Sequence, residues 1–278
     1  MGTRSASTAT HSVVPITVPG APTGVSATSS NGQATISFSA PSLNGGSAIT
    51  TYSVSSNVGG FTATGGSSPI TVTGLTNGTT YTFTVAASNV FGTSTQSATS
   101  NSVVPATSPD APTIGTATRG NGQATITFSA PGDNGGSSIS YYTVSSNVGG
   151  FTATGGSSPI TVTGLTNGTT YTFTVTATNA IGTSSASSAT NSVTPATTPD
   201  APTGVSAVSG SGQATITFSA PSSDGGSAII NYIVTSSSGG FTATGGSSPI
   251  TITGLTNGST YNFTVTATNA AGTSTSSG

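Results

Sequence analysis

The chain has 278 residues with Lys+Arg 2, Asp+Glu 4 and a formal net charge of −2, so only 2% of it is charged where about a quarter is usual for a soluble domain. The bases are Arg4 and Arg119, the acids are Asp110, Asp133, Asp200 and Asp224, and Lys, Glu, Cys and Trp are absent. That inventory excludes disulfides and lysine crosslinks, and it excludes nucleic-acid backbones and polybasic membrane contacts, which need clustered cations.

No apolar run approaches the roughly 18 residues that span a bilayer, so no membrane insertion is expected. The opening MGTRSASTAT has no apolar segment of a signal peptide, so export information is expected either to have been removed or to lie outside this chain. Hydrophobic residues make up 32%, and they fall in clean alternation, which is enough to fill a β core. The chain is therefore read as folded.

In chain order, residues 2–15 align with 92–105, and Val13 and Val14 match Val103 and Val104. Residues 1–15 read as the last strand of a preceding repeat, or as a donor strand. A 90-residue period follows, in which Ala21-Pro22-Thr23 recurs as Ala111-Pro112-Thr113 and Ala201-Pro202-Thr203. Residues 55–85 are identical to 145–175. A period of this length is a whole small domain rather than a solenoid unit. The divisions are 16–107 for repeat 1, 108–197 for repeat 2, and 198–278 for repeat 3, which lacks its last strand because Gly278 aligns with Ala98.

Within repeat 1 the first strand covers 21–28, behind a proline that suits an edge. The second covers 33–40, after the Asn31-Gly32 turn, with Ile36 and Phe38 inward and Thr35 and Ser37 outward. The third covers 49–56, with Tyr52 and Val54 on one face. Gly59-Gly60 breaks it, 61–64 is a short strand, and Gly65 to Pro69 turns again. Ile70 and Val72 lead into a strand through Val85, on which Tyr81, Phe83 and Val85 alternate with Thr80, Thr82 and Thr84. The last strand is expected at 97–105, burying Val103. Seven short strands per repeat and no helical period define an all-β chain of three tandem seven-stranded immunoglobulin-like β-sandwiches.

The pattern Leu75-x-x-Gly78-Thr79-x-Tyr81 resembles a tyrosine corner, in which the hydroxyl bonds back to the preceding connection. Its copies are Leu165 with Tyr171 and Leu255 with Tyr261. With the opening Ala-Pro, the Asn89-x-x-Gly92-x-Ser94 turn and the Pro-rich joins Pro105 to Pro112 and Pro195 to Pro202, it makes the chain similar to an array of fibronectin type III domains of the bacterial or viral surface and fibre type. The resemblance covers nearly the whole chain. Where the family usually carries a Trp on the second strand, this chain has Phe38, Phe128 and Phe218, which implies a smaller core. Some members carry a cell-attachment Arg-Gly-Asp; Arg119-Gly120-Asn121 is only a partial match.

The search for chemistry finds no catalytic, cofactor-binding or metal-binding set, and the chain is read as no enzyme. General acid-base work wants His or paired carboxylates, and His11 is the single His, in register with Asn101 and Asn191. Asp110 and Asp200 sit in Pro-Asp-Ala-Pro joins, and Asp133 and Asp224 lie near Gly-Gly loops, where turn chemistry explains them. Asn77-Gly78-Thr79 and its copies fit the glycosylation pattern, yet the same letters serve the turn. Phe61, Phe151, Phe241 and Phe91 are the rings a sugar would stack on, and packing at the sandwich edge is the competing reading.

Two collective features bear on function. The outward strand faces carry Ser and Thr without the charges that usually guard an edge, which suits lateral or head-to-tail self-association with little salt dependence. The spare strand at one end and the missing strand at the other read either as a window on a longer array of near-identical domains or as donor-strand exchange, with Val13 and Val14 completing the third domain of another copy. The expectation is a non-catalytic extracellular rod or filament segment on a cell or virion surface. The alternative is a binding or spacer module, for polysaccharide or surface adhesion, in a larger protein.

Overall fold

The computed structural model describes residues 15–278; Arg4, His11, Val13 and Val14 lie outside the described residues. In repeat 1, β1 is Thr23–Ser30, β2 Gln33–Ser39, β3 Thr51–Ser56, β4 Thr62–Gly65, β5 Ile70–Thr73, β6 Phe83–Asn89 and β7 Gly92–Thr93. They pair antiparallel in two sheets, β1-β2-β5 and β4-β3-β6-β7. The first strand begins after Pro22 rather than at Ala21, since proline brings no N–H to a ladder.

Period-2 alternation sets which side chains meet. Ala34 pairs with Val72 and Ile36 with Ile70 on one sheet, and Tyr52 pairs with Ala87 and Val54 with Val85 on the other. These inward residues, with Phe38, Leu75, Tyr81 and Phe83, make one buried cluster between the sheets. Phe38 stacks tilted on Tyr52 with ring centroids 4.8 Å apart, so a Phe–Tyr pair fills the centre of this face. Burying each such ring contributes roughly 1.5–3 kcal/mol.

Repeat 2 contains β8 Thr113–Arg119, β9 Gln123–Ser129, β10 Ile139–Ser146, β11 Thr152–Gly155, β12 Ile160–Thr163 and β13 Phe173–Asn179. Its sheets are β12-β9-β8 and β11-β10-β13. Repeat 3 contains β14 Thr203–Gly210, β15 Gln213–Ser219, β16 Asn231–Ser236, β17 Thr242–Gly245, β18 Ile250–Thr253, β19 Phe263–Asn269 and β20 Gly272–Thr273, in sheets β14-β15-β18 and β17-β16-β19-β20. No helix occurs among the described residues. The described chain divides into two compact units. One holds the residues up to Asp110 with Asp133–Ile139 and Thr178–Thr183; the other holds Ala111–Gly132, Ser140–Ala177 and Ser184–Gly278.

The expected last strand at 97–105 takes a different form. Ser94, Ser97 and Ser100 each donate their backbone N–H to β6, at Ala87, Val85 and Phe83, over 2.8–2.9 Å. Each hydroxyl accepts the N–H of that same β6 residue, at 2.9–3.0 Å. Three residues here advance against two on β6, about 2.3 Å of rise per residue instead of the ~3.4 Å of an antiparallel strand. A serine hydroxyl thus replaces the carbonyl that a regular strand would present. Only at Val103, which exchanges both backbone bonds with Tyr81, does the segment return to strand pairing.

The turn of Asn89 is built just as specifically. Its buried amide donates to the carbonyls of Thr17 and Asn44 at 2.8 and 2.9 Å, and its Oδ1 accepts from Phe91 N. Beside it, Gly45 has φ +71°, and a Cβ there would lie 2.1 Å from the carbonyl oxygen of Thr17. Only glycine fits that close approach.

Candidate functional site at the edge of the third sandwich

The tyrosine corner recurs in all three repeats. Backbone N–H groups of Thr76, Thr166 and Thr256 donate to the hydroxyls of Tyr81, Tyr171 and Tyr261 at 3.1, 3.2 and 3.2 Å. Leu75 and Leu165 are buried beside the first two. The same contact feeds two different surroundings, because what lies across from the tyrosine differs between repeats.

In repeats 1 and 2 the edge is closed. Val103 and Val193 bridge Tyr81 and Tyr171, and Pro105 and Pro195 accept the N–H of Gly78 and Gly168 at 2.9 and 3.0 Å. Thr190 takes the part of Ser100, its Oγ1 accepting from Phe173 N at 3.0 Å. Asn101 then clamps the opposite sheet: its Oδ1 accepts from Ala27 N at 2.9 Å and its Nδ2 donates to Ala27 O at 3.0 Å. Asn191 does the same to Ala117.

In repeat 3 the ladder runs only through Ser274 and Ser277, which bond Ala267 and Val265. Beyond them, the backbone groups of Phe263 and Tyr261 that face outward, the N–H of Gly258 and both backbone groups of Ala207 have no such partners among the described residues. Tyr261 and Phe263 are half-buried, whereas Tyr81 and Phe83 are 2% and 1% exposed. Leu255 is half-buried and Ala207 exposed, whereas Leu75 and Ala27 are buried. The result is a groove of about 360 Å³ lined by Ala207, Gly210, Gln213, Leu255, Tyr261 and Phe263. At its mouth, the hydrogen bond from Thr256 N–H favours the phenolate and holds the Tyr261 hydroxyl below its ordinary value. The groove thus has apolar side chains on its floor and a row of main-chain donors and acceptors along one side.

The other candidate residues are not brought into reacting constellations. Asp133 Oδ1 accepts from Gly135 N at 2.8 Å, Asp224 Oδ1 from Gly226 N at 2.9 Å, and Asp200 Oδ2 from Ser222 Oγ at 2.6 Å, so three of the four acids are bonded within turns and joins. No group of three His, Cys, Asp or Glu side chains that could hold a metal ion occurs among the described residues. A wider hollow of about 590 Å³ near Asn167, Thr169 and Gly226 has Asp224 as its sole carboxylate. Phe61 meets Tyr81 edge-on at 5.9 Å, and Phe151 and Phe241 meet Tyr171 and Tyr261 likewise. Of these four phenylalanines Phe91 is the one at the surface, 46% exposed, and the ring of Tyr141 is exposed as well.

Sequence reasoning missed the serine ladder and the Asn101 clamp. The signal was present: Ser94, Ser97 and Ser100 recur as Ser184, Ser187 and Thr190 at a spacing of three, ahead of Asn-Ser-Val each time.

Paired antiparallel sheets in each repeat, a tyrosine corner and an edge made of main-chain groups define an all-β modular protein of the immunoglobulin-like class. The fibronectin type III domain model matches residues 20–103, 110–193 and 200–278, and the chain belongs to that family. The crystal structure of chicken CNTN1 FN1-FN3 domains matches over 93% of this chain and 96% of that chain, at 19% identity and a TM-score of 0.33. No curated protein matches the sequence.

Proposed function

We propose that this chain is a non-catalytic, extracellular structural segment that assembles head-to-tail, the groove of repeat 3 taking residues 9–15 of a second copy as its last strand. The observation that carries the reading is the row of main-chain groups on Tyr261, Phe263, Gly258 and Ala207 that have no partner among the described residues, each of which has a named partner in repeats 1 and 2. Residues 9–15, ATHSVVP, set beside 189–195, ATNSVTP, differ only at His11 and Val14. Thr10 would serve Phe263 as Thr190 serves Phe173, Val13 would bridge Tyr261, and Pro15 would accept from Gly258 N. His11 holds the register position of Asn191, which clamps Ala117 with both amide atoms; an imidazole ring cannot offer donor and acceptor on one side, so in the groove it would make one of those bonds. Such a contact is heterologous and does not close, so it builds a filament.

A second reading, a spacer or adhesion module in a larger secreted or virion protein, is favoured by the identity of residues 55–85 and 145–175, since spacers are copies, and by the exposed ring of Phe91. In that case the groove is filled by residues that follow Gly278 in the longer protein. Sedimentation across a concentration series separates the two. Strand addition predicts oligomers that grow with concentration, that vanish in Val13→Asp with Val14→Asp, and that are blocked by a peptide of residues 4–15. Monomers at every concentration that also fail to bind the peptide, or oligomers indifferent to the double substitution, contradict it.

A further inference from the structure

Asn77, Asn167 and Asn257 hold one position in three copies of the sequence Gly-Leu-Thr-Asn-Gly. An Asn-Gly step can cyclise: the glycine nitrogen attacks the side-chain carbonyl carbon and ammonia leaves. Water then opens the succinimide to aspartate or isoaspartate, so the amide nitrogen is exchanged for a water oxygen with no redox change. In a folded chain the rate depends on whether the side-chain amide and the glycine nitrogen are held elsewhere.

In repeat 1 both are held. Asn77 Nδ2 donates to Asn31 Oδ1 at 2.8 Å, Asn77 Oδ1 accepts from Gly32 N at 2.9 Å, and Gly78 N donates to Pro105 O at 2.9 Å. Repeat 2 repeats this set, with Asn121, Gly122 and Pro195 as partners. In repeat 3 only the bond from Gly212 N to Asn257 Oδ1 survives, at 2.8 Å. Residue 211 is Ser where Asn31 and Asn121 stand, and among the described residues neither Asn257 Nδ2 nor Gly258 N has a partner. Asn257 is exposed, whereas Asn77 and Asn167 are half-buried. Space is open as well: a Cβ built on Gly258 meets nothing within 4 Å, while on Gly78 and Gly168 it would lie 3.1 and 3.4 Å from the Cα of Gly136 and Gly226.

We propose that Asn257 is a site of spontaneous deamidation, the one of these three that converts in the folded chain, and that Ser211 sets this by failing to hold its amide. Asn31 and Asn121 accept the amides of Asn77 and Asn167 on their own Oδ1, and Asn44 and Asn134 accept the N–H of Gly46 and Gly136 on theirs. The product is a new carboxylate at the mouth of the groove, in a chain with four acids. The inference concerns the chain with its groove unfilled: the freedom of the Asn257 amide follows from Ser211, while a strand in the groove would hold Gly258 N as Pro105 and Pro195 hold Gly78 and Gly168.

The test is ageing of the dilute chain at mildly alkaline pH, with proteolytic mapping by mass spectrometry and enzymatic detection of isoaspartate. Conversion at Asn257 is expected to be about tenfold or more faster than at Asn77 and Asn167, the rate factor for cyclisation freed of two hydrogen bonds. Ser211→Asn, which restores the residue of the other repeats, is expected to slow it several-fold. Equal rates at the three positions, or an unchanged rate in Ser211→Asn, overturn the proposal.

Discussion

Repeat 1 and repeat 3 carry nearly the same side chains into two different edges. Phe83 and Phe263 follow equivalent tyrosine corners on equivalent strands, yet one is sealed under Ser100, Val103 and Asn101 and the other looks onto a groove. The difference teaches that in repeat 1 the last segment covers the core more than it fills it. It contributes one partly buried valine and a set of hydrogen bonds, while the cluster around Val234, Ile252 and Val265 in repeat 3 is made by residues of the two sheets.

The largest break in this comparison comes from the floor itself. Phe83→Ala is expected to destabilise repeat 1 by about 3–5 kcal/mol, while Phe263→Ala, half-buried already, costs repeat 3 only about 1–2 kcal/mol. Because a chain of several domains has no single unfolding free energy, the readout is amide exchange resolved by repeat. Near-equal losses would show that the cover adds nothing to the burial of the ring.

Next in size is the clamp. Asn101→Ala strands both backbone groups of Ala27, and a loss of about 1–3 kcal/mol is expected, seen as faster exchange at Ala27 and across β1. The matching strand β14 in repeat 3, whose Ala207 has no clamp, should exchange at that faster rate in the unmodified chain. Smaller again is the corner: Tyr81→Phe removes the acceptor for Thr76 N–H at a cost of about 1 kcal/mol, and Tyr261→Phe costs less because its surroundings are open to water. The smallest expected effect is that of salt. With only six formally charged residues, assembly should shift little between low and high ionic strength, and a strong salt dependence would point to a contact through Arg119 and the acids.

Strands with period-2 alternation were legible because burial and sequence share that period: Ile36, Phe38, Tyr52, Val54, Tyr81, Phe83 and Val85 all face inward. The corner was legible because its residues are local, five apart between donor and acceptor. The serine ladder was not. A run of Ser and Thr reads as loop, and here the hydroxyls act as main-chain acceptors at a period of three. The Asn101 clamp was hidden for another reason, since its partner Ala27 is 74 residues away. The groove was legible only as a missing strand in the 90-residue register; its apolar floor and unpartnered donors needed coordinates.

The most direct test of strand addition is amide exchange at Tyr261 and Phe263 across a concentration series, on the unmodified chain and on Val13→Asp with Val14→Asp. The account predicts fast exchange at both amides when dilute, protection that rises with concentration toward that of Tyr81 and Phe83, and no such rise in the double variant. Fast exchange at every concentration, or equal protection in both proteins, would contradict it.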